Sequence, residues 1–245
     1  MIRDIMTLTG RNMKRILRVG EALISILVIP IVMFLVNYYV FAGGEGAALA
    51  NIYPFMAILC VLMGISYTGL RVYEDKKSNM FARVKSLPIH QSSLLWSHVM
   101  TTVICTLMSL ASITGLAFLF GIESPANIGH WGLLVLGLLV FTAALSWIMI
   151  LGGLIAKSTS AASAFFYMFM IFAFLTPGFM GPVALPDFLL PIANVQPVTI
   201  MVNGITELLV GGNIHLDLGL GFLWALVIFL GGYVISQRLY KEKIK

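Results

Sequence analysis

The chain has 245 residues, of which 60% are hydrophobic and only 10% charged, and its mean hydropathy is +0.99. A water-soluble domain carries about 25% charged residues, so the composition excludes a soluble enzyme or binding module and describes an integral membrane protein. The net charge of +5 reports topology and contact with anionic lipid, and gives no support to nucleic-acid binding.

In chain order, the lead IRDIMTLTGRNMKRILRVGEAL comes first. It sets Ile5, Met6, Met13, Ile16 and Leu17 at near-helical spacing, with Arg11, Lys14, Arg15 and Arg18 on the opposing face. That pattern predicts an amphipathic helix over 1–21, lying in the inner interface with its basic side toward the headgroups. Behind it, six stretches are long enough to cross about 30 Å of hydrocarbon: 22–41, 51–70, 94–120, 132–156, 161–180 and 218–236. The first is too long for a signal-peptide core and lacks a small-residue cleavage site, so it is expected to remain as a span. Cys60 and Cys105 fall inside spans, where a thiol acts as a small apolar filler.

Between the second and third spans, 71–93 forms a charged loop. Ser78 is a plausible N-cap, and Met80, Phe81, Val84 and Leu87 recur at helical spacing before Pro88 stops the helix. The expected element is a short cytoplasmic helix over 78–87, its apolar ridge flanked by Lys76, Lys77, Arg83 and Lys85. A short isolated helix is marginal in water, so the ridge needs a cover. The two alternatives are a cytoplasmic protein and the membrane surface.

In the third span His98 is the clear ionisable candidate, expected as a packed, hydrogen-bonded side chain. The fifth, ASAFFYMFMIFAFLTPGF, carries Phe165, Phe169 and Phe172 on one face with Met168 and Met170 beside it. Soft Met and aromatic walls suit a pathway for varied hydrophobic cargo; a lipid-facing or packing stripe is the alternative. Pro177, Pro182, Pro186, Pro191 and Pro197 then interrupt the apolar runs, so neither 185–193 nor 198–210 makes a full crossing. Two short helices dipping into the outer leaflet over 181–217 are expected, tolerated where broken backbone packs against protein. A seventh span there would put the basic C-terminus outside.

All 15 Lys and Arg residues fall in the N-terminal lead, the 71–93 loop, at Lys157 or in the C-terminal tail. In a six-span arrangement these segments share one side, which the positive-inside rule makes cytoplasmic with both termini in. The opposite loops hold only the acids Glu45, Glu123, Asp187, Glu207 and Asp217. Tyr38, Tyr39, Tyr53 and Trp131 mark the outer boundary, and Tyr67, Tyr73, Trp96 and Tyr240 the inner one. No carboxylate falls within the expected spans, which disfavours an ion-coupled carrier. His90, His130 and His215 have no metal-ligand spacing, no catalytic cluster stands out, and no G-x-x-x-x-G-K-[ST] loop is present to bind ATP. The chain is therefore expected to be a single all-α membrane domain over 1–245 with six transmembrane helices, without cofactor or metal of its own.

The stretches YEDKKSNMFARVKSLPIHQSSLL and GPVALPDFLLPIANVQPVTIMVNGITELLVGG, with the N-terminal helix, resemble the membrane subunit of type-2 ABC transporters, particularly half-size multidrug and antibiotic-efflux permeases. The chain departs from that pattern in reading Ile89, His90 and Gln91 where the family often has Arg after the loop proline, and in lacking an Arg near Gly204 to Glu207. The resemblance implies two permease copies, as a homo- or heterodimer, paired with two ATPase subunits that bind the ATP. It implies a multi-pass protein of the cytoplasmic membrane that exports hydrophobic or amphipathic, drug-like compounds. Spans one, two and five would meet at the dimer interface. Met80, Phe81, Arg83, Val84, Lys85 and Leu87 would form the coupling helix, Phe165, Met168, Phe169 and Phe172 the cargo path, and Pro186, Pro191, Pro197 and Glu207 the outer re-entrant pair. Export of a lipid-linked glycan, cell-wall precursor or peptide by the same fold is the second reading, and a membrane enzyme or scaffold the third.

Overall fold

A computed structural model describes residues 1–86, 90–177 and 186–244, apart from the side chains of Phe41, Lys85, Lys243 and Ile244. Leu87, Pro88, Ile89, Pro182 and the first part of the expected outer pair lie outside the described residues. Within them the chain is helical and contains no strand. The elements are α1 (Ile2–Arg18), α2 (Gly20–Val40), α3 (Gly46–Lys77), α4 (Met80–Ser86), α5 (Ser93–Leu119), α6 (Ile128–Ile155), α7 (Thr159–Phe174), α8 (Leu190–Val195), α9 (Pro197–Gly211) and α10 (Leu216–Ile244).

Helices α2, α3, α5, α6 and α10 are long and apolar enough to cross a membrane. Five of the six expected spans therefore correspond to such helices. The fifth expected span is described as a helix only over the 16 residues of α7, which reach about 24 Å at 1.5 Å per residue. Two expected boundaries change. Helix α2 starts at Gly20, so Glu21 sits on its first turn, and α3 continues past a turn at Ser66 and Tyr67 as far as Lys77. Arg71, Glu74, Asp75 and Lys76 thus stand on a helix that the sequence reading assigned to a loop.

Apolarity on every face of a helix demands burial from all sides or a lipid surround. Helices α3 and α6 take the first course, with 78% and 61% of their apolar windows buried, whereas α2 and α10 reach only 22% and form the rim. Helix α6 is the central post. Small residues let its neighbours approach, as is common between helices in lipid. A side chain at Gly153 would strike the Gly69 carbonyl and Val72 of α3, one at Gly152 would meet the Phe165 ring of α7 at 2.7 Å, and one at Gly232 of α10 would meet Trp147 Cβ at 2.8 Å. Overpacking of this kind costs about 1–3 kcal/mol. Gly153→Leu is accordingly expected to lower the thermal midpoint of the detergent-solubilised protein by several degrees, as read by intrinsic fluorescence; an unchanged midpoint would refute the close approach of α3 and α6.

The helices alternate in direction. At one end, α1 meets the start of α5 and the end of α3, Lys76 Nζ donates to the carbonyls of Leu154 (3.0 Å) and Ala156 (2.5 Å), and Ser92 donates to Gln237 at 3.0 Å. At the other end, Tyr38 stacks on Phe120, Tyr53 packs edge-on against Trp131, and Ser124 donates to the Leu209 carbonyl at 2.5 Å. The first end carries the Lys and Arg residues of α1, α3, α4 and α10. Between α7 and α9, Gln196 Nε2 donates to the Phe172 carbonyl (2.7 Å) and to Thr199 (2.8 Å). Pro197 opens α9, where a missing N–H costs nothing, and seven of the ten residues from Pro197 to Thr206 are buried. Of the two described pieces that the prolines leave, α9 packs on protein, whereas α8 buries only Ala193 and leaves Ile192 and Val195 exposed.

Candidate functional site

The basic end is organised by one carboxylate. Asp75, on the last turns of α3, is only 5% exposed, and its oxygens lie 2.8 Å from Arg11 Nη2, 3.5 Å from Arg15 Nη1 and 3.1 Å from His98 Nε2. The bases come from α1 and the histidine from α5, so three elements converge on Asp75. Around it, Arg15 also pairs with Glu74 at 2.6 Å, and Asn12 donates to Ser97 at 3.3 Å. Burial of Leu8, Thr9, Asn12 and Ile16 seats one side of α1 on the bundle, while Met6 (59%) and Leu17 (54%) remain exposed on another. The expected two-faced helix is thus three-sided: apolar outward, polar toward α5, basic toward Asp75.

Helix α4 follows α3 through Asn79, whose φ of 55° turns the chain back. Ser78 does not cap α4; its hydroxyl donates to the Asp75 carbonyl at 3.2 Å and closes the end of α3. The apolar ridge has its cover inside the chain. Phe81 (5% exposed) and Val84 (0%) join Val72, Leu94, Trp147 and Tyr240 in one buried cluster, Met80 packs partly against it, and the Phe81 and Tyr240 rings meet edge-on at 4.9 Å. Phe81 and Val84, expected to face an ATPase or the membrane surface, thus pack against α3, α5, α6 and α10 in the single chain, and Leu87 of the same ridge lies outside the described residues. What α4 presents outward is Ala82, Arg83 and Ser86, with Lys77 and Asn79 beside them.

The aromatic stripe of α7 is likewise turned inward. Phe169 is 6% exposed, and the half-buried Phe165 and Phe172 pack on the main core. Met168 (39%), Tyr167 (63%) and Ile171 (60%) point away from it. A groove of about 380 Å3 does exist nearby, between α2, α3 and α7. Glu21, Ser25, Tyr67, Ser163, Phe166 and Tyr167 are among its walls. The sequence reading missed it because aromatic identity was visible there while orientation was not, and because the first span was started one residue after Glu21. In the outer segment, Pro186, Pro191 and Glu207 are exposed and Pro197 is half-buried. Among the described residues no group of His, Cys, Asp and Glu has the geometry of a metal site.

The family description "ABC-2 type transporter" matches residues 3–210. Among curated proteins, the daunorubicin resistance ABC transporter permease protein DrrB1 of Streptomyces coeruleorubidus is 25% identical over 227 residues, which cover 90% of this chain and 80% of that protein. The matched region runs from the Asp75-anchored α1 through the α3–α4 corner to α9, most of the chain, and the chain therefore belongs to the ABC-2 type transporter family, as a membrane-spanning permease.

Proposed function

We propose that the chain is the membrane half of an ATP-driven exporter of hydrophobic or amphipathic, drug-like compounds. A separate ATPase chain binds and hydrolyses the ATP, and a second permease copy completes the pathway. The observation that carries this reading is the family match over residues 3–210, together with a relative named for drug resistance. In this reading the six helices α2, α3, α5, α6, α7 and α10 cross the cytoplasmic membrane, the basic end lies in the cytoplasm with both termini, α1 rests in the inner interface, and α8 and α9 form the outer re-entrant pair.

The α3–α4 corner then acts as the coupling element through Ala82, Arg83 and Ser86, with Phe81 and Val84 serving as its root in the bundle. Nucleotide-driven closure of the ATPases shifts the permease pair between inward-facing and outward-facing states, in proportion to the difference in nucleotide affinity between them. Cargo enters the groove between α2, α3 and α7, whose lining of Tyr67, Phe166 and Tyr167 against serines offers an apolar body with a few polar contacts, as small-molecule sites commonly do. An aromatic contact contributes about 0.5–1.5 kcal/mol. In cells expressing the permease with its ATPase, Phe166→Ala with Tyr167→Ala is expected to shift the half-inhibitory concentration of some amphipathic compounds about five- to tenfold and of others little. An unchanged resistance profile at equal expression would remove the groove from the cargo path.

A further inference from the structure

A second cavity, of about 240 Å3, opens between the junction of α1 with α2 and the inner part of α3. Arg71 lines it. That side chain is 5% exposed, and its Nη2 reaches the hydroxyls of Thr68 (3.0 Å) and Thr102 (3.4 Å). Its Nε and Nη1 find no oxygen or nitrogen acceptor among the described residues. The Cys105 thiol beside it is at best a weak acceptor, and Asp75 is already shared by Arg11, Arg15 and His98. A buried guanidinium without a counter-ion is costly, and its planar fork matches the oxygens of a phosphate.

The surroundings select the form in which that phosphate comes. Arg15 lines the cavity and also the adjoining surface groove formed by Arg11, Lys14 and Arg18. Counting both linings and Asp75, five cations face three carboxylates, and of those three Glu74 is held by Arg15 at 2.6 Å and Asp75 is saturated. Glu21, on the α2 side, is exposed. Ile16, Val19 and Leu70 supply apolar wall, and the exposed Ile24 (53%) and Val28 (47%) continue an apolar track along α2. A phosphate with an acyl tail satisfies both features, and a free phosphate satisfies only the first.

We infer that the cleft between the α1–α2 junction and α3 is a binding site for an anionic phospholipid, whose phosphate is held by the buried Arg71 and whose acyl chain lies along α2. The site does not depend on the transport reading. It fixes α1 and α3 together next to the Asp75 cluster, one helical turn away along α3, and makes the inner end of the bundle sensitive to leaflet composition.

The test is lipid retention by the purified full-length chain after exchange into neutral detergent with equal phosphatidylglycerol and phosphatidylcholine, read by mass spectrometry. Wild type is expected to retain at least fivefold more phosphatidylglycerol than phosphatidylcholine. Arg71→Met should bring the ratio to about one, and Arg71→Lys should restore part of it. Arg3→Gln, which removes an exposed base at the start of α1, outside both linings, should leave the ratio unchanged. Equal retention by wild type and a folded Arg71→Met would overturn the site. So would an equal loss in Arg3→Gln, which would reduce the effect to diffuse surface attraction. Should Arg71→Met fail to fold, the wild-type midpoint decides. Short-chain phosphatidylglycerol should raise it by several degrees and phosphatidylcholine should not; no rise, or an equal rise with inorganic phosphate alone, would overturn the lipid assignment.

Discussion

Asp75→Ala is expected to destabilise the protein more than any other single change at its basic end. The substitution leaves His98, only 1% exposed, without its carboxylate, and strips Arg11 and Arg15 of their shared acceptor. Breaking a buried ion pair by removing one partner costs about 3–5 kcal/mol. The lower end applies here, because the Arg11 and Arg15 side chains keep 37% and 44% of their surface and can turn to water. At about 2–4 °C per kcal/mol for a chain of this size, the thermal midpoint should fall by roughly 6–12 °C. Helix α1 should also become accessible to protease, since Asp75 is the buried tie between it and α3 and the remaining Arg15–Glu74 pair is exposed. Arg11→Ala, which removes a half-exposed partner and leaves two others on Asp75, is expected to cost only about 1 kcal/mol. A midpoint for Asp75→Ala within a degree of wild type, with α1 still protected, would show that packing of Leu8 and Ile16 alone holds α1 in place.

That Asp75 has this role could not be read from its neighbourhood in the sequence. Glu74-Asp75-Lys76-Lys77 looks like a solvated run of charge, and along a chain a buried carboxylate has no mark to distinguish it from an exposed one. Its three partners lie 64, 60 and 23 positions away. What the sequence did expose were properties that sum over many residues. Five of the long apolar helices, the segregation of basic residues and the amphipathic lead all follow from composition and period, which burial in lipid or protein enforces on every turn. Facing is a different kind of information. Met80, Phe81 and Val84 mark a ridge with certainty, but a period of 3.6 does not say whether the ridge turns toward a partner or toward Tyr240, and the same ambiguity holds for Phe165, Phe169 and Phe172. The short helix α4 could be recognised while its exposed side could not. His98 shows the favourable case: a lone histidine in an apolar span has few options besides a buried hydrogen bond, and Asp75 provides one at 3.1 Å.

The inward turn of α4 separates two kinds of variant that a ridge facing the ATPase would have merged. Phe81→Asp should behave as a folding defect. It removes a ring from a cluster with Val72, Leu94, Trp147 and Tyr240 and places a carboxylate there, a loss of about 3–5 kcal/mol for the ring alone with the burial of charge added. Its signature is a lower midpoint and poor recovery from the membrane, and any loss of ATPase association would follow from that. Ala82→Glu with Arg83→Glu should do the reverse, because both side chains are exposed and α4 keeps its buried side. The midpoint is expected to stay within about 2 °C of wild type, since surface substitutions usually change stability by no more than about 0.5 kcal/mol. If α4 docks an ATPase as proposed, co-purification of an ATPase chain co-expressed with the permease should fall at least tenfold, because a reversed charge at a docking surface opposes its partner's charge. If the double variant retains the ATPase at wild-type levels while Phe81→Asp is well folded and loses it, then α4 must roll outward on docking, and Phe81 and Val84 are contact residues after all. If both retain it, the contact lies elsewhere on the basic end and α4 serves only to close the bundle beneath Tyr240.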